Sequence, residues 1–252
     1  MAEVAKAEKT LPSKPDYGLD APLIVRRMFG RGGWTLGLAI LLYVMNRNVS
    51  PGPAARILVV VGGIGVIFLA IGGMMVWSSR VTKLQLRDRL LDSISFNGSE
   101  KVLDVGCGRG LMLIGAAKRL KSGKATGVDI WDPKDLSDNT PEAVKRNAKI
   151  EGVADRVRIE NCDARKLHYP DGSYDVVLSS TVIHNIPEPE DRAQAVREMW
   201  RVLKPGGQLL IVDILHVPKY AEVLRSAGAA DVTVSSAGFL WCFPTKSLLA
   251  KK

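Results

Sequence analysis

The sequence predicts an α/β domain, a mostly parallel sheet with helices on both faces, preceded by a two-helix transmembrane hairpin. Three observations predict it. From Glu100 onward, short apolar runs alternate with helical patterns, the mark of repeated βα units. One of those runs, Val102–Val105, leads into Gly106-Cys107-Gly108-Arg109-Gly110, with glycine at every second position and a helical pattern immediately after. Ahead of this domain lie two apolar stretches without a charge, Trp34–Met45 and Ile57–Trp77.

Taken in order, residues 1–27 read as a polar N-terminal tail. The first twenty carry Pro12, Pro15 and Gly18 and are expected to be mobile on the cytosolic side. No apolar core follows a short basic start, so this is not a signal peptide. Residues 28–78 read as the hairpin. Ile57–Trp77 has 21 residues, a helix of about 31 Å against a hydrocarbon core of about 30 Å. Trp34–Met45 has only 12, about 18 Å, and crosses only if it extends back to Met28 with Arg31 reaching the headgroups; otherwise it is re-entrant or interfacial. Asn46–Pro53 is the turn-rich connection. Arg26, Arg27 and Arg31 precede the hairpin and Arg80, Lys83, Arg87 and Arg89 follow it, whereas Arg47 and Arg56 alone lie in the loop; the positive-inside rule puts both ends in the cytoplasm.

Residues 79–252 read as the soluble domain. Arg80–Ser95 is helical and links it to the hairpin. Strands are expected at Lys101–Val105, Ala125–Ile130, Arg156–Glu160, Tyr174–Ser179, Gln208–Asp213, Asp231–Ser236 and Thr245–Ala250. Helices are expected at Leu111–Leu120, at Thr140–Ile150 with Thr140 as cap and Pro141 in its first turn, at Glu190–Leu203, and at Ala221–Ala227. Lys204-Pro205-Gly206-Gly207 reads as a helix stop.

Charge and cysteines narrow the function classes. Residues 1–89 hold +7 of the +9 net charge, so the soluble domain is not a basic nucleic-acid-binding domain, and no nucleic-acid partner is expected. Cys107, Cys162 and Cys242 are far apart, with no C-x-x-C, which suits a reducing compartment and suggests neither a disulfide framework nor a zinc site. Three dispersed histidines do not argue for a metal.

The residues that carry chemistry lie at the ends of strands. The glycine turn presents backbone N–H groups to a ligand. Its G-x-G-x-G spacing, with Leu111 next, misses the dinucleotide fingerprint, which disfavours a nicotinamide dehydrogenase. Asp104, two residues before the first glycine, would repel a pyrophosphate but attract an ammonium group. Asp129, about twenty residues on, ends a strand where a carboxylate can take both hydroxyls of a ribose. His184 and His216 follow the fourth and fifth strands, at the edge where open α/β sheets bind ligands; each is a candidate base near neutral pH, or a loop histidine bonded to its neighbours.

Residues 80–252 resemble the class I S-adenosylmethionine-dependent methyltransferases. Four landmarks carry the resemblance in order: Asp104 with G-x-G-x-G, Asp129, Asp163-Ala164 after the third strand, and Pro170–Val177 leading into the fourth strand with Lys204–Gly207 before the fifth. The branch it is most similar to includes methyltransferases of quinone and phospholipid biosynthesis. The resemblance implies a Rossmann-like fold with S-adenosyl-L-methionine as cofactor. It implies cofactor contacts at Asp104, Gly106, Cys107, Gly108, Asp129, Ile130, Asp163, Ala164 and Ser179, with Asp163 accepting from the adenine amine. Ser179–Asn185 lacks the N-P-P-Y or D-P-P-Y pattern of base methyltransferases.

The expected activity is therefore methyl transfer to a hydrophobic small molecule or lipid, such as a quinone precursor, by an enzyme anchored in the membrane. A membrane-bound module that binds the nucleoside cofactor and acts through a partner is the alternative.

Overall fold

The computed structural model describes residues 12–132, 136–240 and 243–252. Two long helices come first, α1 (Pro22–Asn46) and α2 (Pro51–Trp77), each with proline in its first turn. Both are long and apolar enough to cross a membrane. They pack antiparallel through small residues. A Cβ added at Gly65 would lie 2.8 Å from Thr35 Oγ1 and 2.9 Å from the Leu36 nitrogen, so only glycine allows this approach. Ala39 and Gly62 continue the seam. The outward faces stay bare: Trp34, Val59 and Trp77 are exposed.

A π-helical turn, Ser78–Thr82, joins α2 to α3 (Lys83–Leu91) without a break in the helix. Leu86, Leu90 and Leu91 of α3 enter the core of the soluble domain. That domain continues as β1 (Lys101–Val105), α4 (Leu111–Ala117), β2 (Lys124–Asp129), α5 (Pro141–Ile150), β3 (Val157–Asn161), β4 (Tyr174–Ser180), α6 (Pro189–Val202), β5 (Leu203–Asp213), α7 (Val217–Ser226), β6 (Asp231–Leu240) and β7 (Phe243–Lys251). The sheet order is β3-β2-β1-β4-β5-β7-β6. β1 to β5 pair in parallel, while β7 runs antiparallel to both of its neighbours, β5 and β6. Two apolar layers sandwich the sheet, one under α3, α4 and α5, the other under α6 and α7. The cap of α5 is as expected: Thr140 Oγ1 accepts from the Ala143 N–H at 3.2 Å.

Three expectations are corrected. β5 starts at Leu203 rather than Gln208: Leu203 pairs with Tyr174 before the register shifts, and Lys204–Gly207 lie within the strand. α7 starts at Val217 rather than Ala221, because Pro218 sits in its first turn, where its missing N–H costs nothing. The segment Asp16–Asp20 is not a mobile tail. Asn147 binds Asp16 at both its N–H and its carbonyl, and the Tyr17 hydroxyl donates to Glu151. Lys83 Nζ donates to the Tyr17 and Gly18 carbonyls at 3.0 and 2.8 Å and pairs with Asp20 at 3.2 Å. Residues 16–20 thus form a strap across the edge of the domain. The expected tail residues 1–11, and Cys242, lie outside the described residues.

Candidate active site

The site forms at the carboxyl ends of β1, β2 and β4, where the glycine turn, the end of β2 and the turn after β4 converge. The Gly106 and Cys107 N–H groups both donate to the Val128 carbonyl, fastening the turn to β2. Gly106 has φ +73°, and a Cβ there would meet Val182 at 2.3 Å, so the turn and the β4 loop close on each other only with glycine. Asp129 at the end of β2 accepts from the Gly108 N–H at 2.8 Å through one oxygen and from the Trp131 N–H at 2.7 Å through the other. Its carboxylate organises the glycine turn and keeps lone pairs for a ligand hydroxyl.

Asp104 is fully buried at the end of β1, with the Leu113 backbone as the one hydrogen-bonding group near its carboxylate. Burial, with the Asp129 charge adding to it, raises its carboxyl to about 7. Ser179 Oγ at the end of β4 is buried without a partner. A buried polar group left open in this way is a place for a bound group. An acidic group at the end of β1 suits an ammonium, so Asp104 fits the amino-acid end of the cofactor that the sequence implies.

The remaining expected contacts fall out differently. Ile130, just beyond β2, is 61% exposed and available for stacking. The Cys107 side chain turns inward, against the position a Gly127 Cβ would take, and burial pushes its thiol pKa up, so this residue supports the turn from beneath. Asp163 is held by Arg165, whose guanidinium donates to both of its oxygens and lowers its pKa, and Arg165 also pairs with Asp191 at 2.7 Å. Ala164, beside it, packs on the core.

The two histidines separate. His184 lies in the turn after β4. Its Nδ1 is 2.5 Å from Oδ1 of Asp213, the last residue of β5, and its backbone N–H donates to Oδ2 at 3.1 Å. Asp213 is fully buried and also accepts from the Tyr220 hydroxyl at 3.4 Å. Burial and this carboxylate hold the Tyr220 phenol well above its usual range. No local pattern announces this pairing, since the partners are 29 residues apart. His216 is exposed, with φ +62°, and faces a groove between α6 and α7 beside Arg192 and Lys219.

An open, mostly parallel sheet with this β7 placement, a glycine turn after β1, and acids at the ends of β1 and β2 are the features of the class I methyltransferase fold. Residues 103–211 match the family model described as a methyltransferase domain. The chain is 35% identical over 158 residues to a 27-O-demethylrifamycin SV methyltransferase of Amycolatopsis mediterranei, covering 60% of this chain and 54% of that one. It is 31% identical over 128 residues to a demethylmenaquinone methyltransferase of Lactiplantibacillus plantarum, covering 50% of each. The chain spans about half the length of these curated relatives. Among solved structures, the [4+2]-cyclase SpnF superposes with a TM-score of 0.56 at 20% identity, over 67% of this chain and 80% of that one. A geranyl diphosphate methyltransferase in complex with its cofactor does so at 0.56 and 16%, over 67% and 84%. Residues 103–211 carry a methyltransferase domain, and the matches support S-adenosylmethionine as its cofactor.

Proposed function

We propose that this chain is a membrane-anchored enzyme that moves the methyl group of S-adenosylmethionine to a hydroxyl of a hydrophobic or membrane-associated acceptor: a lipid, a quinone precursor or another apolar small molecule. The observation that carries the reading is the contact of His184 with Asp213. When bound, the cofactor supplies a methyl group activated on a sulfonium. Asp104 and Ser179 bind its amino-acid end, Asp129 its ribose, and Gly106, Gly108, Ile130, Asp163 and Ala164 line the rest. The Asp213 carboxylate lies against the Nδ1 side of the His184 ring, which leaves Nε2 to take the acceptor proton. His216, without such a carboxylate contact, ranks second as a base.

The division into a tail (1–27), a hairpin (28–78) and a methyltransferase domain (79–252) belongs to the same reading, with the domain on the cytoplasmic side. The bare apolar faces of α1 and α2 support it, as does the arginine excess at their domain-side ends. Relatives that act on a rifamycin precursor and on demethylmenaquinone, by their names, support an apolar acceptor.

A non-catalytic nucleoside-binding module acting through a partner is the second reading, since the landmarks at Asp104, Asp129 and Asp163 would serve cofactor binding without any catalytic residue. Labelled S-adenosylmethionine incubated with the reconstituted chain and a panel of quinone precursors and lipid extracts separates the two. Label transferred by the wild type and lost with His184→Ala is the expected result. No transfer to any acceptor, from a chain that binds the cofactor, would favour the module.

A further inference from the structure

Among the described residues, three large apolar side chains outside the helical hairpin are exposed: Ile130, Leu215 and Phe239. They stand at the carboxyl ends of β2, β5 and β6. This is also the edge from which the hairpin departs: Asp20, two residues before α1, hydrogen-bonds Ser79 just after α2, and Asp20 and Lys83 line a cavity with Ser180 and Thr181 at the end of β4. Ile130 has a use in the cofactor site. Leu215 and Phe239 have none there.

The register of the last strands shows how far Phe239 reaches. Asp213 closes β5 opposite Lys246, and Lys246 lies opposite Ser236. Beyond that level β6 and β7 pair only with each other, Gly238 with Thr245 and Phe239 with Pro244. Phe239, opposite Pro244, therefore stands about 7 Å past the end of β5, two residues of β7 at about 3.3 Å each, with a bulge taking up the extra residue of β6. The ribbon is uncharged from Ala237 to Thr245, and β6 packs against the π-helical turn and α3 at the foot of the hairpin. Arg26 and Arg27 on α1, and Arg80 beside that foot, are exposed.

We infer that the carboxyl edge of the sheet lies face-down on the bilayer, with Phe239 and Leu215 entering its interface and Arg26, Arg27 and Arg80 meeting anionic headgroups. The inference rests on the membrane reading of the hairpin and adds to it a second contact, made by the soluble domain. Apolar prongs ringed by cations are the composition of an interfacial lipid contact. The consequence for the reaction is directional: His184, between β4 and β5 on that edge, is reached from the lipid side.

The test places a photoreactive benzophenone side chain at position 239, 215 or 121 of the full chain. Lys121 is exposed at the opposite, amino edge of the sheet, between α4 and β2. Each chain is reconstituted in vesicles of phosphatidylcholine and phosphatidylglycerol, checked for cofactor binding, extracted with alkaline carbonate, and irradiated. The expected result is retention in the vesicle pellet with lipid adducts at 239 and 215, several-fold above 121. Retention with adducts no higher than at 121 overturns the face-down contact while leaving the anchor intact. Release by carbonate overturns both. Adducts between chains in place of lipid adducts would make this face a contact between copies and overturn the inference.

Discussion

Asp213 holds His184 twice: Oδ1 faces the ring Nδ1 at 2.5 Å, and Oδ2 accepts from the backbone N–H of the same residue at 3.1 Å. One buried carboxylate thus bonds the His184 peptide and stands beside its ring.

This relationship predicts the behaviour of two variants. His184→Ala removes the base and is expected to lower kcat by roughly 10²–10⁴-fold, the span of general acid–base contributions. Asp213→Asn keeps the shape but removes the carboxylate charge beside the ring, and its kcat is expected to fall in the same direction. Calorimetric cofactor affinity should stay near the wild-type value in His184→Ala. A large loss of cofactor affinity there would mean that His184 serves binding instead.

Asp104 predicts a pH dependence. Its carboxyl is raised from 3.8 to about 7 in the cofactor-free chain, so the folded state holds the proton more tightly than the unfolded one. Its contribution to stability is present below 3.8 and is lost as pH rises through about 7. Cofactor binding runs the other way, because an ammonium requires the carboxylate. Affinity should fall by about tenfold per pH unit below 7 and level off above it. Titrations from pH 5 to 8 check this, and Asp104→Asn should bind weakly with a flat profile.

Asp129 bridges the Gly108 and Trp131 N–H groups. Asp129→Ala removes a ribose contact and unfastens the glycine turn together. A loss of about 1.5–3 kcal/mol in cofactor binding is expected from a charged hydrogen-bonding group, on the order of ten- to hundredfold in Kd. Unchanged affinity in a folded variant would move the ribose elsewhere.

Lys83 closes the strap from beneath, and its side chain is only 5% exposed against 16% for Asp20. Burial lowers its pKa, opposed by the Asp20 charge. Lys83→Met leaves the Asp20 carboxylate without this cation, and a loss of about 3 kcal/mol is expected for a largely buried pair broken on one side. Limited proteolysis should then cut within residues 12–21 well before the rest of the chain.

The strands of the sheet and the glycine turn were legible because apolar runs and glycine spacing are local signals. Thr140 announced its cap in the same way. The start of β5 was not legible, because Pro205, Gly206 and Gly207 read as a stop, while the strand is held across them by Leu203 pairing with Tyr174. Nor was the strap, whose partners Asp16 and Asn147 lie 131 residues apart. The site divided similarly. Asp104 and Asp129 could be placed beside the turn from their spacing to it. The carboxylate behind His184 was hidden because β4 and β5 become neighbours only when the sheet forms. Arg165, two residues from Asp163, was within reach of the sequence, since that short spacing invites an ion pair.

The feet of the hairpin meet. The Asp20 N–H donates to Ser79 Oγ at 3.2 Å, and the hydroxyl returns a bond to the Asp20 carboxylate at 2.8 Å. In architectural terms the two long helices are an insert, grafted between a strap and the domain that the strap completes. A graft with adjoining ends can be excised. Replacing residues 22–77 by a short glycine–serine loop should leave a water-soluble domain that keeps the strap and the cofactor site, whereas simple truncation before Ser79 would discard the strap with the helices.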